Sequence, residues 1–239
     1  MSGKYRGLKA NIRAIIPNVK WTHCCIYRES LAARQMPGKL KRTLDEAVKV
    51  VNIIKAHPLN SCIFSVLCEE MGNAHEQLLL HSQVRWLSRG KVLTRIFELR
   101  DEIRLFLHDK SFHGRVVQYM SDIFTYLNGL NLNLQGRSIT IFKDEDKVEA
   151  MIMKLDLWSE RLQSGVFESF PTLCDFLAVS DDDFSEEIRN LFIQHLQGLK
   201  NSFRDYFPLP DANNKWIRDP FHVDVKNVKD LTSNEQKSC

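Results

Sequence analysis

The sequence predicts a mostly α-helical protein in which a short α/β fragment precedes a long all-α remainder. Three observations lead there. Apolar residues recur at three- and four-residue spacing in successive stretches after residue 39, the period of an amphipathic helix. One stretch near the start, residues 19–27 (VKWTHCCIY), is instead rich in β-branched and aromatic residues, the composition of a strand. The 239 residues are 44% hydrophobic and 26% charged, which suits a globular chain, and no apolar run approaches the roughly 18 residues that span a bilayer.

The elements follow in order. Residues 4–16 place Leu8, Ile12, Ile15 and Ile16 on one helical face, and Pro17 with Asn18 ends that run. The strand over 19–27 has no purely polar face, so both of its faces are expected to be covered. Glu29 to Met36 reads as a short helix stopped by Pro37-Gly38. From Leu40 the pattern is helical throughout. Leu40, Leu44, Ala47, Val48, Val51 and Ile54 form one stripe, and Ile63, Phe64, Leu67, Cys68 and Met71 form the next, closed by Gly72-Asn73. A long helix after Ser88 carries Val92, Leu93, Ile96, Phe97, Leu99, Ile103, Phe106 and Leu107. Val116, Val117, Met120, Ile123, Phe124 and Leu127 repeat the pattern, as do Val148, Met151, Ile152, Leu155, Trp158 and Leu162. Asp183, with Glu186 three residues on, reads as the start of a last helix through Ile188, Leu191, Phe192, Leu196, Leu199 and Phe203, ended by Pro208 and Pro210. Residues 226–239 are polar and expected to form a flexible tail.

Charge is unevenly distributed under a net value of +3. Lys4, Arg6, Lys9, Arg13, Lys20, Arg28, Arg34, Lys39, Lys41 and Arg42 are opposed only by Glu29, whereas Asp144, Asp146, Asp181, Asp182, Asp183, Glu186 and Glu187 make the second half acidic. A basic leading portion is what a phosphate-binding surface would require, and also what a solvated helix face would look like. The N-terminus lacks the apolar core and small-residue cleavage site of a secretory signal. Six cysteines are too sparse for a disulfide scaffold, so they are read as reduced thiols.

Candidate chemistry is thin. His23, Cys24 and Cys25 raise the idea of zinc, but adjacent cysteines on a strand point to opposite faces, and no second ligand pair stands at zinc spacing. His23 and Cys25 alternate onto one strand face without a third group to orient a nucleophile. Gly3 and Gly7 fit neither a dinucleotide fingerprint nor a P-loop. No metal, cofactor or small-molecule substrate is therefore expected, and no membrane. The remaining cluster is Gln83-Val84-Arg85-Trp86-Leu87-Ser88-Arg89-Gly90-Lys91. Arginine forks onto phosphate, an indole stacks on an unpaired base, and a helix start attracts anions. The competing reading is a core tryptophan flanked by solvated cations.

Two long segments carry a resemblance. The run MSGKYRGLKANIRAIIPNVKWTHCCIYRESLA resembles the hAT superfamily of DNA transposases, most closely the vertebrate transposase-derived proteins with BED-type zinc fingers. HSQVRWLSRGKVLTRIFELRDEIRLFL is similar to the next block of that family, and residues 209–225 share its look. The resemblance implies an RNase H-like core whose two Asp and one Glu bind divalent metal for DNA cleavage, with an all-helical domain inserted after the Arg-Trp motif. It assigns residues 1–38 to part of that core and 39–225 to the helical insertion. It places all three metal-binding acids, and the family's dimerisation segment, outside the matched segments, which implies a catalytically inactive and monomeric chain. The family's C-x-x-H motif falls on Cys24 to Tyr27, with tyrosine in place of histidine; a phenol titrating near about pH 10 cannot replace an imidazole. Arg85 and Trp86 match the Arg-Trp pair, whose tryptophan in the family holds a displaced base.

The expectation is thus a nuclear, otherwise cytoplasmic, non-enzymatic protein that contacts DNA or protein partners. Its nucleic-acid contacts are assigned to Arg85, Trp86, Arg89, Lys91, Lys4, Arg6 and Lys9. The alternatives are a DNA-processing enzyme completed by another chain, and a truncated relic. Lacking neighbouring strands, residues 1–38 are expected to be less stable than the helical part.

Overall fold

A computed structural model describes residues 7–17, 22–73, 75–79, 88–107, 114–136, 140–179, 184–208 and 221. Among the described residues there are ten helices and no strand. They are α1 (Leu8–Ile15), α2 (Cys25–Ala32), α3 (Gly38–Ala56), α4 (Pro58–Glu70), α5 (Ser88–Glu98), α6 (Arg100–Leu107), α7 (Gly114–Asn133), α8 (Ile141–Gln163), α9 (Pro171–Val179) and α10 (Glu186–Tyr206). The mostly-α expectation holds, whereas no RNase H-like α/β layer is present among these residues. The strand expected over 19–27 is overturned where it can be compared: residues 22–24 are irregular and Cys25 to Tyr27 open α2. The physical reason is backbone satisfaction. With no strand beside it, this stretch closes its own bonds, such as Arg28 N–H to the Cys24 carbonyl at 3.0 Å, and turns Glu29, Ala32 and Ala33 into the body. Residues 18–21 and the tail 226–239 lie outside the described residues.

α7 is the central helix. Val116, Val117, Tyr119, Met120, Ile123, Phe124 and Leu127 are buried, and so are Gln118, Ser121 and Asp122 between them. Over residues 116–124 the helix is buried on every side and so needs neighbours on every side, and α7 packs on α5, α9, α3 and α8. The α8–α10 pair closes the body. Val148, Met151, Ile152, Leu155 and Leu162 face Leu191, Phe192, Leu196, Leu199 and Phe203 in one core. Outside that seam, Lys200 Nζ meets Asp156 Oδ1 at 2.7 Å and Arg204 grips Glu149 with both terminal nitrogens.

Helix ends show where local chemistry overrode the apolar pattern. Ser185, not Asp183, caps α10, its hydroxyl accepting the Ile188 N–H at 3.4 Å; Asp183 lies outside the described residues. The single helix expected after Ser88 is broken at Leu99 into α5 and α6, yet Leu99 N–H to Arg95 O (3.1 Å) and Ile103 N–H to Leu99 O (2.9 Å) bridge the break. α4 ends in a Schellman turn: Asn73 N–H reaches Cys68 O at 3.1 Å and Gly72 N–H reaches Glu69 O at 2.9 Å, with Gly72 at φ 71°. On α4 only Phe64 and Cys68 are buried; Ile63 and Met71, expected inside, are exposed. α9 was not legible in the apolar pattern. Its N-terminus is held from across the core by Asp122 of α7, which accepts Thr172 N–H and Leu173 N–H, both at 3.1 Å.

Much of the basic leading segment is engaged internally. Lys39 bonds Glu187 at 2.7 Å, joining the cationic start of α3 to the acidic start of α10. Arg28 Nε donates to the Tyr206 carbonyl at 2.6 Å while its guanidinium covers the Phe207 ring, 4.0 Å from the centroid. Next to it, Glu29 is fully buried and accepts from Asn131 Nδ2 of α7 at 2.8 Å; its other oxygen has no partner among the described residues. Burial pushes the Glu29 carboxyl from its usual 4.5 up to about 7, with the Asn131 bond opposing.

Two measurements check this packing. Asp122→Ala removes the α9 cap and lowers stability by about 1–2 kcal/mol in urea denaturation. Glu29 keeps its proton longer in the folded than in the unfolded chain, so its contribution is fully present below the unfolded value and is lost as pH rises through about 7. Glu29→Gln removes that loss. The stability of the variant relative to wild type therefore rises by roughly 1–3 kcal/mol between pH 4.5 and pH 8, and a difference flat in pH contradicts the buried-acid assignment.

Candidate nucleic-acid interface

The start of α5 carries two of the assigned cations, Arg89 and Lys91. Arg89 lies in its first turn, with its side chain outside the described residues. Lys91 is exposed and makes no ion pair or hydrogen bond among the described residues. Its stem lines a groove of ≈ 440 Å³ with Leu79, Arg95, Glu98, Asn128 and Leu132. The groove floor comes from α7, because α5 packs along that helix and Thr94 meets Ser121 at 3.0 Å.

Arg95 stands one turn after Lys91 but is already occupied. Its Nε donates to Glu98 Oε2 at 2.8 Å and its Nη1 to the Gln77 carbonyl at 3.1 Å, while His75 lies 3.5 Å from the same carboxylate. Among the described residues, a phosphate here would find the Lys91 ammonium, the Arg95 guanidinium held in place and the competing Glu98 carboxylate. That arrangement attracts anions without the convergent donors of a dedicated phosphate pocket.

The other assigned residues fall elsewhere. Arg85, Trp86, Lys4 and Arg6 lie outside the described residues. Lys9 is half-buried on α1, a helix with no extensive packing against any other described helix. Packing thus joins Lys91 to Arg95 and does not join Lys9 to them. Sequence reasoning missed Arg95 and Asn128; the i, i+4 spacing of Lys91 and Arg95 was the available signal for the first. Lys41 and Arg42, counted in the sequence only as charge, are exposed on α3.

In the His23-Cys24-Cys25 stretch, Cys25 is not poised as a nucleophile. His23 and Cys24 are exposed, Cys24 caps α2, and Cys25 is its first residue. Burial, then the bond its thiol gives to Asp144, pushes Cys25 from 9.0 up to about 12. A nucleophilic thiol needs the opposite shift. Cys68 is likewise raised by burial, to about 11. Among the described residues no three His, Cys, Asp or Glu side chains converge as a metal site would require, and no single helix is long and apolar enough to cross a membrane.

These features define an all-α domain organised around one buried helix, with a weakly cationic groove on its surface. Over residues 23–163, more than half of the chain, the sequence matches the FAM200/GTF2IRD2 helical domain. The chain belongs to that family, a domain family linked to domesticated hAT-type transposases. The match opens at residue 23, so α2 falls inside it. No solved structure matches the chain.

The thiol assignments predict a reactivity order. In the folded protein at pH 8, iodoacetamide labels exposed Cys62 and Cys174 at least about 100-fold faster than Cys25. Peptide mass spectrometry over a time course reads this directly, and early labelling of Cys25 contradicts the partly buried thiol held high by Asp144.

Proposed function

We propose that this chain is a catalytically inactive, transposase-derived protein that acts in the nucleus by associating with DNA. Membership of a helical domain family linked to domesticated transposases carries the reading. The resemblance supports inactivity, since it assigns the metal-binding acids to the RNase H-like core rather than to the helical domain, and two-metal cleavage needs carboxylates to hold the ions. The free ammonium of Lys91, on the helix that follows the Arg85-Trp86 motif, supports DNA association. Exposed Lys41 and Arg42 add sequence-independent phosphate attraction.

The exposed apolar face of α4 favours a second, compatible reading, in which the helical domain also serves as a protein-interaction module. An enzyme completed by carboxylates of another chain would need three acids to converge across an interface with sub-ångström care.

Fluorescence anisotropy with labelled duplex and single-stranded DNA across a salt series tests the main reading. Affinity falls steeply as salt rises. Lys91→Glu weakens binding to every sequence by about 10-fold and lowers the salt slope by about 1, while an Arg85→Ala/Trp86→Ala variant weakens single-strand binding further. Salt-independent binding, or none, removes the DNA role. Metal-dependent nicking of supercoiled plasmid by the purified protein overturns inactivity.

A further inference from the structure

α4 is apolar on its outer side as well as its inner one. Phe64 and Cys68 turn inward, and the helix packs on α3 and α6. Facing out, Leu59, Ile63 and Val66 are 70, 50 and 47% exposed. They stand at i, i+4 and i+7, so they form one stripe along the helix. Ile53, at the end of α3, is 50% exposed and adjoins the stripe, since Asn60 Nδ2 donates to its carbonyl at 3.0 Å. Single exposed apolar residues are ordinary, but a continuous stripe that meets its first charge only at Glu70, at the end of the helix, is the mark of an interface.

The charges at the two ends of α4 indicate what covers it. Lys55 and His57 precede the helix, and Glu69 and Glu70 close it. Lys55 near the amino end, and Glu69 with Glu70 at the carboxyl end, have the signs that the helix's own dipole disfavours, since the amino end is positive and the carboxyl end negative. The two glutamates are exposed and make no ion pair among the described residues, and Lys55 meets the Gln77 amide oxygen at a long 3.5 Å. The surface that corrects both ends at once is an antiparallel helix with the same charge order, which is α4 itself.

We propose that α4 is a self-association surface, on which two copies of this chain pack α4 against α4 in antiparallel fashion about a two-fold axis beside Cys62 and Ile63. The register follows from the stripe. Leu59 of one protomer faces the partner subunit's Val66, the two Ile63 side chains flank the axis, and Glu70 falls beside the partner subunit's Lys55. Glu69 and Glu70 then lie at the positive end of the opposite helix. Being isologous, every contact off the axis is made twice. A helix of about 20 Å with three apolar residues in its stripe and Ile53 beside it buries less than the roughly 1,200 Å² of a standard interface, so the dimer is reversible and of micromolar strength. This surface adjoins the Lys91 groove at Gln77, whose amide oxygen meets Lys55 and whose carbonyl accepts from Arg95, but it uses neither Lys91 nor DNA.

Sedimentation velocity of the full chain over a concentration series reaching about 200 µM, where a micromolar association is saturated, tests the proposal. Wild type moves from monomer to dimer; Ile63→Asp stays monomeric with an unchanged circular dichroism spectrum. Glu70→Lys and Lys55→Glu each weaken the dimer by about 5-fold or more, and the double swap recovers it. A short bismaleimide yields a covalent dimer that Cys62→Ser abolishes. Lys91→Glu, which impairs DNA binding, leaves the dimer intact, so failure of either idea is visible separately. A chain monomeric throughout overturns the proposal and assigns the stripe to a different protein or a lipid surface. A dimer indifferent to Ile63→Asp, or a double swap that fails to recover it, overturns it as well.

Discussion

The stacking of Tyr119 on Phe192, centroids 3.8 Å apart and planes 7° from parallel, sets the spacing of α7 and α10, and the other helices are placed by what that contact leaves to be covered. A fully buried phenol needs a partner for its hydroxyl. It lies 3.0 Å from His195 Nδ1 and 3.3 Å from the Phe192 carbonyl, both on α10. Burial in turn pushes His195 down to about 4, so the ring is a neutral hydrogen-bonding spacer in the core. Phe170 leans on the open side of Tyr119 and carries Trp158 with it, and Trp158 packs on Tyr126. Tyr126 returns to the chain by donating to the Ser169 carbonyl at 2.7 Å, while Arg161 holds the Ser169 hydroxyl. One aromatic chain therefore runs from α10 through α7 to α8 and fixes the turn that leads into α9.

Around this interior the charged residues divide into two kinds. Arg28, Lys39, Lys200 and Arg204 are spent on joining helices distant in sequence. Lys41, Arg42 and Lys91 remain on the surface. The imbalance between a basic leading portion and an acidic second half is thus partly an internal complementarity, because Lys39 finds its acid on α10. A count of charges along the chain cannot make this separation, which depends on which helices meet.

Legibility in the sequence tracked the strength of each local signal. The helices now numbered α3, α7, α8 and α10 were readable because their apolar residues repeat at the helical period over many turns, and nearly all of those residues are buried. The opening of α2 was misread, since Ile26 and Tyr27 favour strands only when a neighbouring strand supplies backbone partners. α9 is short, and its cap comes from Asp122, some fifty positions away, which no local pattern can announce. Ile63 and Met71 counted as core by periodicity alone, but α4 is apolar on two sides and periodicity does not say which side meets a neighbour. In the candidate interface Lys91 was legible as a cation at a helix start. Its groove was not, because Asn128 and Leu132 reach it from α7.

The bond from Arg28 to the carbonyl of Tyr206 spans 178 positions, and this has a consequence for the order in which the protein is made. The chain emerges from the ribosome amino end first, so α2 appears long before the surface it packs on exists. Ala32 and Ala33 have no α10 to cover them until the last long helix has been synthesised, and Glu29 has no Asn131 until α7 is out. The earliest described helix of the body is therefore among the last to find its place. Native structure at the front of the chain becomes a report that the far end of α10 has arrived.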